Sequence, residues 1–293
     1  MRQDFPPVDG VEHRFVDAAG LRVHVAEAGP ADGDPVVCLH GWPQHWYEWR
    51  HLIGPLAERG HRVVCPDLRG LGWTEAPRRG YEKEQLASDM LATMDALGLE
   101  RVKLVGHDWG GWASYLICLR APERVERLLA LNILPPIVEP SPRAIGAAWR
   151  LWYQVALATP FLGRRLAAKL GSLPDRFYDR AGIGLSVWSR EERAIFLDYL
   201  AEPEHARATV QYYRSFQLRE LWPVIAGRYR RARLETPTLL LFGVLDGVQD
   251  PRMLNGVERR AADFTVELVE GCGHFIADER PDLVAERALA FFG

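Results

Sequence analysis

Residues Leu104–Ala113 read LVGHDWGGWA. An apolar run with strand character, RVKLVG, leads into Gly106, and a helical pattern, GGWASYLICLRAP, leads out of Gly110. Between them the chain must turn sharply, and the residue at the tip of the turn is an acid, Asp108. The frame Gly106-His107-Asp108-Trp109-Gly110 is that of a G-x-S-x-G elbow with a carboxylate in the serine's place. Glycines on either side allow close backbone approach. The central side chain is then presented at the C-terminal edge of a sheet, where backbone N–H groups and a helix N-terminus stabilise negative charge. Aspartate is also a common helix N-cap, but flanking glycines directly after an apolar strand favour a nucleophile.

Outward from this turn the same rhythm repeats. VEHRFVD and LRVHVAE alternate around AAG as a β-hairpin. PVVCLH, HRVVCPD, RVKLVG and VERLLALNIL read as strands, separated by helical patterns in HWYEWRHLIGPLAERG, EKEQLASDMLATMDALG and GGWASYLICLRAP. Strand–helix alternation of this kind predicts a mostly parallel, doubly wound sheet with helices on both faces. The rhythm stops at LPPIVEPSPR and resumes at TPTLLLFG, followed by a helix near PRMLNGVERRA, the strand FTVELVE and a last helix in RPDLVAERALAFF. The chain therefore divides into a first core part, residues 1–134, a helical insertion, 135–233, and a second core part, 234–293. The arginine cluster RYRRAR (Arg228–Arg233) at the insertion's exit reads as a solvated face.

The 293 residues are enough for one large α/β domain with an insertion. A net charge of -3 offers nothing to nucleic acid or an anionic membrane, and no apolar stretch is long enough to span a bilayer. The N-terminal stretch lacks the apolar segment of a signal peptide, and the four cysteines show no metal spacing, three of them lying inside apolar runs. The expectation is a cytoplasmic protein with reduced thiols, a monomer or homodimer. Ten tryptophans are a high count; such walls suit a cavity for a small apolar ligand as well as they suit a core.

A carboxylate nucleophile is ionised at neutral pH and needs no base. It attacks saturated carbon bearing a leaving group and forms an alkyl ester, and the water that cleaves this ester does need a base. A histidine and an acid to orient it are therefore expected. Both follow in the order nucleophile, acid, histidine: Asp246 in the loop after TLLLFG, and His274 in GCGHF after the final strand. Asp250 competes with Asp246, which stands nearer the strand's end. The earlier strand LLALN is followed by no nearby carboxylate, only Asn132. In CLHGWPQHWYEW the backbone after Gly41 can aim the Trp42 N–H at an oxyanion, with the Trp109 N–H as second donor; a cis Trp42–Pro43 bond would belong to that loop.

Together, HGWP, WYEWR, DLRGLGWTEAP, GHDWGG and GCGHF resemble the α/β-hydrolase superfamily, in its aspartate-nucleophile branch of epoxide hydrolases and haloalkane dehalogenases. The resemblance covers nearly the whole chain. It implies an α/β-hydrolase fold with the insertion as a helical cap, and substrate bound between cap and sheet. Trp42 in HGWP matches the aromatic of epoxide hydrolases, where haloalkane dehalogenases usually carry asparagine. Fluoroacetate dehalogenases place arginines after the nucleophile, where Trp109 and Trp112 stand here. The resemblance further implies two cap tyrosines that protonate the epoxide oxygen. Tyr213, before an arginine in VQYYRSF, matches one. Counting back from Gln154 for the other reaches Trp149, whose indole N–H can hold an oxygen or halide but not readily deliver a proton. Three readings stay open: Tyr153 or Tyr178 fills the role from a shifted position, Tyr213 acts alone with Trp149 as a hydrogen-bond donor, or the leaving group is a halide held by the Trp109 and Trp149 N–H groups.

The expected site thus comprises Asp108, Asp246, His274 and Tyr213 as catalytic residues and Trp42 and Trp109 as oxyanion donors, with Trp149, Tyr153, His40 and Pro43 against the substrate. The activity this implies is opening of epoxides to vicinal diols through an aspartyl ester, with no metal or organic cofactor and only a small apolar substrate and water as partners. A haloalkane dehalogenase with the same nucleophile and a non-catalytic small-molecule binder are the alternatives. A serine esterase is disfavoured because the elbow has no serine.

Overall fold

The computed structural model describes residues 5–139, 152–173 and 184–293. Strands β1 (Glu12–Ala18) and β2 (Leu21–Ala28) form the expected hairpin. They continue into β3 (Asp34–Leu39), β4 (His61–Pro66), β5 (Val102–His107), β6 (Val125–Leu131), β7 (Thr238–Gly243) and β8 (Phe264–Val269). The spatial order is β1-β2-β4-β3-β5-β6-β7-β8. Only the pairings of β2 with β1 and β4 are antiparallel. The central strands read as near-continuous apolar runs because both sheet faces are covered; every residue of β5 and of β7 is buried.

The first core helices are α1 (Arg50–Glu58), α2 (Lys83–Ala96) and α3 (Asp108–Arg120). Between β6 and β7 the described elements are all helical: α4 (Trp152–Ala158), α5 (Pro160–Lys169), α6 (Arg190–Leu197), α7 (Pro203–Ser215) and α8 (Leu221–Ile225), with a π-helical turn over Phe216–Glu220 joining α7 to α8. After β8 come α9 (Ile276–Glu279) and α10 (Pro281–Phe292). Leu52, Ile53 and Leu56 of α1 share one core with Val284 and Ala288 of α10. Leu86, Met90 and Met94, spaced at helical periodicity along α2, share the opposite core with Ala113, Leu116 and Ile117 of α3. The sheet is doubly wound. None of the described helices is long and apolar enough to cross a membrane.

The chain leaves β3 toward β4 on one side and later enters β5 on the other, so the strand order reverses between β3 and β5. Crevices at the carboxyl ends of such a reversal are the preferred ligand sites of open α/β sheets. The pairing of Leu39 with Gly106 sets the loops after β3 and β5 side by side.

One expected helix did not form. PRMLNGVERRA folds as two short 3-10 turns, Pro251–Met253 and Val257–Arg259. Gly256 between them sits at φ +72°, a left-handed conformation that ends a right-handed helix. The helix expected from His45 likewise opens as a 3-10 turn over Trp46–Trp49 before α1 begins.

Candidate active site

Asp108 is the first residue of α3 and has φ +46°. A non-glycine residue in this left-handed region costs on the order of 1 kcal/mol or more, and such strain persists only where the surroundings impose it. Here they do. A Cβ on Gly106 would lie 2.4 Å from Ser114 Oγ and 2.7 Å from Gly111 Cα, and one on Gly110 would lie 2.2 Å from the Leu39 carbonyl oxygen. Helix α3 can approach the sheet this closely only on glycines, and the turn that results pushes Asp108 outward at the sheet's edge. The Trp42 backbone N–H donates to Asp108 Oδ2 at 3.0 Å. The Trp109 N–H lies in the first turn of α3, where amides have no intrahelical acceptor. The Trp42–Pro43 bond is cis.

His274 faces the elbow from the loop after β8. Its Nε2 lies 3.9 Å from Asp108 Oδ1, and its Nδ1 donates to Asp246 Oδ2 at 2.9 Å. Asp246 Oδ1 accepts the backbone N–H groups of Val248 (2.6 Å) and Gln249 (3.0 Å). Burial opposes ionisation of Asp246, but the imidazole and these N–H groups hold its carboxyl below the ordinary value. Asp250 is turned elsewhere: it caps the Pro251–Met253 turn and pairs with Arg252 at 2.6 Å.

Asn132, which sequence reasoning passed over, braces this acid. At φ +45° it ends β6; its Nδ2 donates to Asp246 Oδ2 (2.9 Å) and to the Gly273 carbonyl (2.7 Å), while its Oδ1 accepts the Gly243 N–H (3.1 Å). Asparagine tolerates the left-handed conformation better than most residues. Its place one residue past a strand was the available signal.

Beneath Asp108 lies a second unforeseen feature. His107 Nδ1 is 2.8 Å from Glu48 Oε1, and His107 Nε2 donates to the His274 carbonyl at 2.9 Å. Both ring nitrogens face acceptors, so the ring carries both protons. Burial works against this charge, but Glu48 outweighs it and the His107 pKa rises to about 9. Glu48 Oε2 also accepts the Gly41 N–H (3.2 Å). One buried ion pair thus joins the loop after β3, the elbow and the His274 loop.

His40 is not where the sequence suggested. It is fully buried, with Nδ1 donating to the Gly41 carbonyl and Nε2 accepting the Leu68 N–H, both at 2.9 Å. Both nitrogens are used structurally and neither faces the substrate space. The reason is that its ring ties the loop after β3 to the chain just past β4, bonding the Gly41 carbonyl on one side and the Leu68 N–H on the other. Pro43, by contrast, lines the cavity over Asp108, together with Trp42, Trp109, Tyr153, Tyr213 and His274.

The two tyrosines come from α4 and α7. Tyr213 packs edge-on against Trp42 (centroids 5.2 Å apart) and lies 6.1 Å from Tyr153, again edge-on. Burial, then each other's proximity and that of the Asp108 carboxylate, raise the Tyr213 phenol well above the ordinary value. Burial raises Tyr153 likewise, with the Gln154 amide pulling the other way. Both phenols are thus protonated at neutral pH. The Trp109 indole N–H makes no hydrogen bond of good geometry among the described residues, though it lies near enough to Tyr213 to oppose that rise. Trp149 and Tyr178 lie outside the described residues.

A sequence profile described as alpha/beta hydrolase fold matches residues 34–281 of the chain. The chain belongs to the alpha/beta hydrolase fold family. Among its relatives, the soluble epoxide hydrolase of Corynebacterium sp. (strain C12) is 32% identical over 291 residues, spanning 96% of this chain and 97% of that protein. Epoxide hydrolase A of Mycobacterium tuberculosis is 29% identical over 95% of this chain and 96% of its own length. Among solved structures, the ligand-free epoxide hydrolase CorEH superposes with a TM-score of 0.81 at 32% identity, covering 96% of this chain and 98% of that one.

Proposed function

We propose that this hydrolase opens small apolar epoxides to vicinal diols. The observation that carries the reading is the arrangement around one cavity of Asp108, the His274–Asp246 pair and, opposite them, two protonated phenols. An Asp108 carboxylate oxygen attacks an epoxide carbon. The C–O bond breaks as the oxygen takes a proton from Tyr213 or Tyr153, leaving an alkyl ester. A phenol suits this step because it is neutral at pH 7 yet far more acidic than the alcohol it forms. Water then attacks the ester carbonyl while His274 Nε2 takes its proton, and the backbone N–H groups of Trp42 and Trp109 hold the oxyanion. The diol leaves, and the proton returns to the phenolate.

The epoxide hydrolases among the relatives support this substrate class, as does Trp42 in HGWP. The test is to incubate His274→Gln with styrene oxide and weigh the protein. The expected result is a mass gain of one substrate on the peptide carrying Asp108. No adduct, from a variant that remains folded, rejects the covalent mechanism. A second reading, haloalkane dehalogenation by the same carboxylate, draws on the Trp109 indole N–H, which makes no hydrogen bond of good geometry among the described residues and is a donor suited to a departing halide. Release of chloride or bromide without turnover of any epoxide would favour it.

A further inference from the structure

Lys83 opens α2 and is fully buried. An ammonium in such a place is costly unless it is paired and hydrogen-bonded. Its Nζ donates to the carbonyls of Tyr81 (3.1 Å) and Tyr212 (2.8 Å), lies 3.5 Å from Glu220 Oε2, and stands 4.4 Å from the centroid of the Trp109 ring. Glu220 Oε1 accepts the Lys83 backbone N–H at 2.7 Å. No step of the reaction above uses this cation. Its partners are nonetheless the neighbours of the groups that do react: Tyr212 precedes Tyr213, Trp109 follows Asp108, and Glu220 closes the π-helical turn into which α7 runs.

Turns of this wider kind interrupt the regular helical ladder and recur near functional sites. Here the interruption begins at Phe216, three residues after Tyr213, and the Tyr212 carbonyl, which accepts the Phe216 N–H, takes the Lys83 ammonium as a further donor from outside the helix. We propose that Lys83 is a positioning residue of this site: its ammonium, held between the Tyr212 carbonyl, Glu220 and the face of Trp109, fixes the end of α7 and keeps the Tyr213 phenol in the cavity opposite Asp108. The inference rests on the epoxide-opening reading and gives it a dependence on charge.

The charged and titratable groups facing the ammonium are Glu220 from the turn after α7, Glu82 just before α2, Asp108 at the start of α3 and Tyr212 on α7. Burial drives the Lys83 pKa down to about 8 against the pull of the three carboxylates. The cation is present at neutral pH and is lost on the alkaline side, where Tyr153 and Tyr213 still hold their protons.

Mixing excess enzyme rapidly with styrene oxide separates formation of the ester from its hydrolysis. Lys83→Met should slow ester formation on the order of ten- to a hundredfold, as small misplacements of reacting groups do, and leave ester hydrolysis unchanged. Lys83→Arg should restore most of the rate. In the wild type, ester formation should fall as the pH rises past about 8; the fall should move upward in Lys83→Arg and vanish in Lys83→Met. Ester formation at the wild-type rate in Lys83→Met overturns the proposal. Backbone amide exchange supplies a readout that needs no substrate: in Lys83→Met, exchange should quicken over Tyr212–Glu220 and not in the other helices. Unchanged exchange there overturns the proposal even if no epoxide is turned over, whereas inertness of the wild type toward every epoxide counts against the hydrolase reading alone. If Lys83→Met does not fold, K83M/E220Q, which removes both charges together, answers the same questions.

Discussion

On the sheet side of the cavity, Asp108, Asp246 and His274 follow three strands of one sheet, and what holds them is mostly main chain: the left-handed turn at Asp108, the Val248 and Gln249 N–H groups on Asp246, and the strand register that sets Leu39 beside Gly106. On the helical side, Tyr153 and Tyr213 sit on helices joined to the core by scattered side-chain contacts. The Trp42 indole donates to Thr209 Oγ1 (3.1 Å), the Tyr199 hydroxyl to the Pro43 carbonyl (3.1 Å) and the Tyr212 hydroxyl to the Arg69 carbonyl (2.9 Å). Geometry imposed by the backbone survives many changes of side chain. Geometry imposed by isolated side chains is sensitive to each of them. The proposed nucleophile and its base are therefore tied to the fold itself, whereas the proposed proton donors depend on a docking arrangement.

Substitutions test this contrast. Asp108→Asn should bring the largest loss, on the order of 10⁴-fold or more in kcat, with an unchanged melting temperature; a variant retaining a tenth of the activity would remove Asp108 from the chemistry. Tyr213→Phe should slow ester formation by about 10²-fold or more while the ester, once made, is hydrolysed at the normal rate. A slowing of both steps would mean that Tyr213 supports the whole cavity and is not specifically the acid. Asn132→Ala should act in the opposite sense, slowing ester hydrolysis on the order of tenfold and sparing its formation, because the asparagine reaches the reaction only through Asp246 and His274.

The smallest expected effect concerns stability. The His107 pKa is raised from 6.5 to about 9 by Glu48, despite burial. Such a group contributes stability that is fully present below about pH 6.5 and is lost as the pH rises through about 9. Glu48→Gln should therefore destabilise the protein by about 3 kcal/mol near pH 6, and the gap in denaturant midpoint from the wild type should narrow by pH 10. A gap independent of pH would show that Glu48 matters for packing and not for charge.

Much of the sheet side was legible in the sequence because it is written in short-range signals. Glycines two residues on either side of Asp108 and an apolar run before them specify an elbow, and acid and histidine follow strands that can be read by composition. The supporting contacts were not legible, because they join residues distant in the chain. Asn132 braces Asp246, and Glu48 charges His107, only once β6, β7 and the loop after β3 are folded together. His40 was misread for the same reason, since nothing in HGWP says that its ring turns inward. On the helical side, the expected Tyr153 lines the cavity, while Trp149, singled out by counting from Gln154, lies outside the described residues. The expected helix over PRMLNGVERRA failed because one glycine outweighed the periodicity around it.

Trp42 belongs to both walls: its amide donates to Asp108 and its ring is moored to Thr209 on α7. That double duty sets a condition on any chimera made by exchanging the helical segment for another to alter substrate range. A donor segment lacking a hydroxyl at the position of Thr209 would loosen the very loop proposed to cradle the developing negative charge, so a swap aimed at specificity should also retune turnover. Segments for exchange should be chosen by their acceptor for this indole before their pocket lining is considered.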